Sequence, residues 1–271
     1  MAIYGNGRIA NELHHLFANK KPEQVTIYDL LEFDQMHYDG IAALDVAVEK
    51  CQIKEHQHIV DIGSGYGGPS RYLAWKYNVN VTAIELQEEH SNQANELTKY
   101  VQLGSKVRHL NADISALDTR EYNEKFHVAI SLLVFLHIPN RDQLLKNVSS
   151  ILKLSIGKLF IEDWYCKYPF LPEEVKCLSE KMLCPYLPTK DEYIEQLISA
   201  GFGDIEFIDM TESWTTICSK RSEDFYLNRE IEIQKHGQSV YEDLLSFYQG
   251  VDKLFKNGHL GGARIVATKL H

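Results

Sequence analysis

Cysteine is scarce in this chain: five residues, Cys51, Cys166, Cys177, Cys184 and Cys218, in 271. The number is odd and no two are spaced C-x-x-C, which excludes a disulfide framework and a zinc site of that type. Such thiols suit a reducing compartment, and a cytoplasmic protein is expected. No apolar run approaches the ~18 residues of a membrane span. The opening "MAIYGNGRIANELHHLF" has no basic stretch followed by an apolar core, so no signal peptide is expected. Positive charge is in deficit: 28 basic against 38 acidic residues, a net charge of −10. An acidic surface repels a phosphate backbone, so no nucleic-acid partner is expected. Repeats and low-complexity tracts are absent. No His, Asp and Glu side chains share ligand spacing on one element, and the pair His14–His15 lies in a polar segment, so no metal is expected.

What is present is an ordinary globular composition, 44% hydrophobic and 24% charged, enough to bury one large core. Residues 1–55 read as a helical segment, with "TIYDLLEF" and "GIAALDVAVEKCQI" at helical spacing and "HYDG" breaking the run. The period then changes. "HIVDI", "VNVTAIEL", "KVRHLNADI", "FHVAISLLV" and "IGKLFIEDW" read as strands, and helices such as "GPSRYLAWKYN" and "NRDQLLKNVSSILK" lie between them. Strands apolar throughout, alternating with helices, predict an α/β fold with a parallel sheet covered on both faces. "TKDEYIEQLISAGF" reads as a further helix, "GDIEFIDM" as a sixth strand and "GARIVATKL" as the last. Two segments lie outside that pattern: 166–188, irregular and holding Pro169, Pro172, Pro185 and Pro188, and 211–258, mainly helical. Both are expected as cap insertions in a domain running from 56 to 271, placed over the carboxyl edge of the sheet where open α/β sheets bind ligands.

The stretch "HIVDIGSGYGGPSRYLA" places Gly63, Gly65 and Gly68 as G-x-G-x-x-G between the first strand and a helix, with Gly67 beside them. Glycines let a backbone approach a ligand closely, and a helix start offers free N–H groups. Glu85 ends the next strand, where a carboxylate can pair with two ribose hydroxyls. Tight packing alone also explains glycine turns, but strand, loop, helix and acid in this order describe an adenosine pocket. Three details separate its two possible cofactors. Asp61 lies two residues before Gly63; a carboxylate there repels a pyrophosphate and suits a sulfonium and an ammonium. Asp113, in "NADI", can accept from an adenine amino group. The order of the later elements lacks the second mononucleotide half of an NAD domain.

On "VDIGSGYGG", "AIEL", "NADI" and "AISLLVFLHIP" the chain resembles class I S-adenosylmethionine-dependent methyltransferases, well over about residues 57–165 and loosely at the last strand. The resemblance implies a Rossmann-like sheet of seven strands, mostly parallel, with an antiparallel last strand. It implies S-adenosylmethionine as cofactor, with S-adenosylhomocysteine as product. Asp61, Gly63, Ser64, Gly65 and Gly67 would surround the methionine part, Glu85 and Leu86 the ribose, and Asp113 with Ile114 the adenine. Ser131 and Leu132 would lie near the methionine part, and Gln35 would reach the cofactor carboxylate.

Within that family "GYGGPSRYLAWKYN" and "LLEFDQMHYDG" look most like small-molecule enzymes, the sarcosine/dimethylglycine and phosphoethanolamine N-methyltransferases. A small-molecule acceptor is expected, methylated on an amine nitrogen; a lipid-like, sterol or phenolic acceptor methylated on carbon or oxygen is the alternative. Methyl transfer needs alignment and, where a proton leaves, a base near neutrality. His137 matches the catalytic histidine of phosphoethanolamine enzymes, and Tyr28 is the nearest match to their tyrosine. His37, Tyr38, Trp164, Tyr165 and Tyr186 are the candidates to touch substrate, since ring faces attract cationic amines. One departure stands out: those enzymes carry an aspartate shortly before the histidine, where this chain has Leu132, Leu133 and Val134. The expected amine is phosphoethanolamine, an amino acid or a sarcosine-like molecule, and the departure bears on the phosphobase, not on methyl transfer.

Overall fold

Apolar strands that alternate with amphipathic helices can bury both of their faces only as the middle layer of a sandwich, and the chain folds accordingly. The computed structural model describes residues 7–271; residues 1–6 of the helical N-terminal reading lie outside the described ones. Helices α1 (Gly7–Asn19), α2 (Ile27–Leu31) and α3 (Ile41–Cys51) come first. The alternating part follows: β1 (His58–Ile62), α4 (Gly68–Tyr77), β2 (Asn80–Glu85), α5 (Glu88–Tyr100), β3 (Val107–Asn111), β4 (Val128–Leu132), α6 (Arg141–Ile151) and β5 (Lys158–Cys166). Then come α7 (Pro172–Lys181), α8 (Lys190–Ser199), β6 (Phe202–Asp209), α9 (Thr211–Leu227), α10 (Arg229–His236), α11 (Gln238–Lys256) and β7 (Leu260–Lys269).

The seven strands form one sheet in the order β3-β2-β1-β4-β5-β7-β6. β1 to β5 pair in parallel, and β7 runs antiparallel between β5 and β6. This is the seven-stranded Rossmann-like sheet expected from the sequence, antiparallel last strand included. Chain order reverses between β1 and β4, so the loops leaving these strands diverge and open a crevice at the carboxyl edge. Successive strand residues face opposite layers. Val60, Ile62 and Leu159 pack with α6 and α8 on one side, while Ile59, Val81 and Phe160 pack with α3 and α4 on the other.

The stretch 166–188 is more regular than its prolines suggest. α7 occupies its middle, with Pro172 as first residue and Glu173 and Glu174 in the first turn. Proline loses nothing at that position, because the first N–H of a helix has no partner within it, and acids there meet the positive end of the helix dipole. Above the carboxyl edge a third cluster joins three separate pieces of chain: Tyr38, then Leu178 and Met182 of the α7 region, then Trp214 and Leu254 of α9 and α11, all against Leu136 and Trp164. A fourth cluster sets the N-terminal segment on the glycine loop, through Leu30, Phe33 and Tyr66. The described residues contain no helix long and apolar enough to cross a membrane.

Candidate active site

β2 fixes the glycine loop from below. The N–H groups of Gly63 and Ser64 donate to the Ile84 carbonyl at 2.8 and 3.0 Å, and Gly67 donates back to Ser64 at 2.8 Å before α4 begins. Gly63 sits at φ +68, and a Cβ there would run into the Val134 side chain. Only glycine lets β1 turn so close to the loop after β4. At the end of β2, Glu85 is buried and accepts from Gly65 N–H and Gln87 N–H, both at 2.9 Å. The carboxylate is thereby locked against the loop with acceptor capacity left over. Asp61 is buried too and accepts from Ser70 Oγ at 2.6 Å, tying β1 to the first turn of α4. Burial first, with the charge of Glu85 adding to it, pushes the Asp61 carboxyl up to about 6.

The N-terminal segment lies directly over this loop. The guanidinium of Arg71 on α4 and the carboxylate of Asp34 are 2.8 Å apart and both fully buried. Asp34 in turn accepts from Gln35 Nε2 at 2.8 Å. A Cβ on Gly68 would collide with the Asp34 backbone, so only glycine permits this docking.

Beneath the segment runs one cavity of about 920 Å³. Gly63, Gly65, Glu85, Leu86, Asp113 and Ile114 line one part, together with Gln35. Leu132, His137, Trp164 and Tyr38 line another. His137 ends a short turn after β4, and its Nδ1 lies 3.0 Å from the Leu183 carbonyl. A carbonyl only accepts, so Nδ1 carries the proton and Nε2 holds the lone pair of the neutral ring. Burial holds this imidazole below the ordinary histidine value.

Other residues expected at the site are placed elsewhere. Tyr28 is 64% exposed and rests edge-on against Trp75, 5.3 Å away, outside the cavity. Tyr165 points to the opposite face of the sheet, where its hydroxyl donates to Asp209 at 3.0 Å. Neighbours on a strand alternate faces, so Trp164 and Tyr165 cannot share one pocket. Tyr186 lines a separate small hollow beside Glu192 and Gln196. His37 is buried within the N-terminal segment with Nε2 2.9 Å from the Gly40 carbonyl, and burial brings its pKa down to about 4. Asp61, Ser64, Gly67 and Ser131 surround the loop without lining the cavity. Their contribution is to shape it.

The structure adds residues that sequence reasoning missed. Tyr66, between the glycines, packs against His90 with ring centres 4.5 Å apart and planes tilted by 41°, and both line the cavity. From the cap come Ile217, Lys220, Arg221 and Phe225 on α9, and Leu244 and Phe247 on α11. Their three- and four-residue spacing marks one helix face, which is the signal that could have found them.

The residues present fit an adenosine-sulfonium cofactor. Gln35 Oε1 in the cavity wall is buried and has no hydrogen-bond partner among the described residues. A Cβ on Gly65 would meet only open space, so the loop backbone faces the cavity bare. The sheet, the loop and the acid after β2 resemble those of the class I S-adenosylmethionine-dependent methyltransferases.

Residues 59–155 match a family model described as a methyltransferase domain. Phosphoethanolamine N-methyltransferase 1 of Zea mays is 27% identical over 247 residues, 89% of this chain and 48% of that protein. The sarcosine/dimethylglycine N-methyltransferase of Halorhodospira halochloris is 26% identical, over 78% of this chain and 73% of its own. Among solved structures, Haemonchus contortus phosphoethanolamine N-methyltransferase 2 with phosphomonomethylethanolamine and S-adenosylhomocysteine aligns at a TM-score of 0.78 and 20% identity, covering 96% of this chain and 60% of that one. The chain spans about half the length of the plant relatives it matches.

Proposed function

We propose that this protein transfers the methyl group of S-adenosylmethionine to a small-molecule acceptor, on an amine nitrogen. The observation that carries this reading is the single cavity joining the Gly63–Gly65 loop and Glu85 to His137 and Trp164. When bound, the cofactor supplies a methyl group on a sulfonium, open to in-line displacement. The protein's part is alignment, exclusion of water and removal of one proton. Glu85 would hold the ribose hydroxyls, Asp113 and Ile114 the adenine, and Gln35 the amino-acid end. Residues 1–55 act as the lid that closes over them. His137 Nε2, uncharged because burial disfavours the imidazolium, takes the proton leaving the acceptor. Trp164 offers a ring face to the amine, and Tyr38 lines the cavity beside it.

A second reading has an observation in its favour. Leu132, Leu133, Val134 and Leu136 also line the cavity, and this wall suits a lipid-like or phenolic acceptor methylated on carbon or oxygen. We place the enzyme in the cytoplasm, on its five free thiols, with no nucleic-acid partner. The test is transfer of labelled methyl from S-adenosylmethionine to a panel of amines, amino acids, phenols and sterols. Labelling of an amine supports the reading, labelling of sterols or phenols alone selects the second, and cofactor binding without transfer to any extract would refute both.

A further inference from the structure

We infer that α9 carries an anion site for the acceptor: Lys220 and Arg221 hold a carboxylate or phosphate group on a molecule whose body is apolar. The inference rests on the methyl-transfer reading and specifies its substrate. In this acidic chain the fully buried arginines meet carboxylates: Arg71 lies 2.8 Å from Asp34, Arg141 3.7 Å from Asp163 and Arg264 2.5 Å from Glu162. Arg221 is different. It is half-buried in the cavity wall and makes no ion pair among the described residues. One donor reaches the His37 carbonyl at 3.3 Å, and the guanidinium lies 5.6 Å from the centre of the Tyr38 ring. Lys220, next to it, is exposed, lines the same cavity and is likewise in no ion pair among the described residues.

Two adjacent cations in the wall of one cavity, Arg221 half-buried and Lys220 exposed, attract an anion and repel an ammonium. A guanidinium uses only one of its five N–H donors on a carbonyl here, so the remaining fork can meet a carboxylate or phosphate. The surroundings fix the rest of the ligand. Ile217 and Phe225 stand one turn to either side of Arg221 on α9, and Leu244 and Phe247 join them from α11. These side chains would cover an alkyl chain or a ring lying between the anion site and His137. Asp224, Glu32 and Glu232 also line the cavity; Asp224 is in no ion pair with either cation, and these carboxylates limit how much negative charge the site accepts.

The test is calorimetric titration of the protein saturated with S-adenosylhomocysteine, using hexanoate, hexyl phosphate, hexanol, hexylamine and inorganic phosphate. Both hexyl anions are expected to bind about tenfold or more tightly than hexanol, hexylamine or inorganic phosphate. The tighter of the two identifies the head group as carboxylate or phosphate. Lys220→Gln with Arg221→Gln should bring the anions to the level of hexanol while S-adenosylhomocysteine binds as before, and Asp224→Asn should strengthen the anions. Preference for hexylamine, equal binding of hexanol, anion binding untouched by the double substitution, or no binding by any probe would overturn the anion site. Failure to bind S-adenosylhomocysteine would instead overturn the methyl-transfer reading beneath it.

Discussion

One buried ion pair allows the position of the lid to be separated from the stability of the fold. Asp34 and Arg71 lie 2.8 Å apart with neither side chain exposed. Burial raises the Asp34 pKa and lowers that of Arg71, so each charge is kept in the interior only by its partner. Arg71→Met leaves the carboxylate stranded, which costs about 3–5 kcal/mol. Asp34→Leu combined with Arg71→Met removes both desolvation penalties along with the attraction. Such exchanges are neutral or stabilising by about 1–4 kcal/mol. In urea the single variant is therefore expected to unfold at a clearly lower midpoint with unchanged slope, and the double variant at or above the wild-type midpoint. Function should not follow stability. Asp34 also orients Gln35 at 2.8 Å and sets the segment on Gly68. The stable double variant is expected to bind S-adenosylhomocysteine about tenfold or more weakly, as read by calorimetry. A double variant as unstable as the single, or one with wild-type affinity, would refute the reasoning.

Two further predictions concern the loop and the base. Gly63→Ala forces a side chain into a left-handed backbone and against Val134, and stability in urea should fall by roughly 2–4 kcal/mol; a loss under about 0.5 kcal/mol, the scale of an ordinary surface change, would contradict the close approach. His137→Ala should lower kcat/KM by about 10²–10⁴ with cofactor affinity unchanged. The depressed pKa keeps this ring neutral into mild acid, so activity is lost on acidification only below the ordinary histidine value of about 6.5. An acid limb at or above that value would remove His137 from the role of base.

The sheet, and the grouping of the glycine loop with Glu85 and Asp113 at its edge, were legible because both are local. β1, β2, β3 and β4 each end at or just before a cavity residue, Gly63, Glu85, Asp113 and His137, and the spacing from Gly63 to Glu85 is set by one helix turn-back. The acceptor half was not local. Trp164 and Tyr165 are neighbours in sequence, yet the pleat sends one to the cavity and the other to Asp209. Tyr28 sits on a five-residue helix whose apolar side, Ile27 and Leu30, turns inward and leaves the phenol outside on Trp75. Arg221 is set over the Tyr38 ring only by the fold of α9, a contact between residues 183 positions apart. Pro172 hid a helix because proline is read as a breaker, although it also starts helices.

Thermal unfolding in the presence of S-adenosylhomocysteine or NAD, for the wild type and Glu85→Gln, tests the central claim most directly. A ligand at about one hundred times its Kd stabilises the folded state by roughly 2.7 kcal/mol, worth roughly 5–10 °C for a domain of this size. The account predicts that rise with S-adenosylhomocysteine, its loss or strong reduction in Glu85→Gln, and no rise with NAD. Stabilisation by NAD without any by S-adenosylhomocysteine would contradict it.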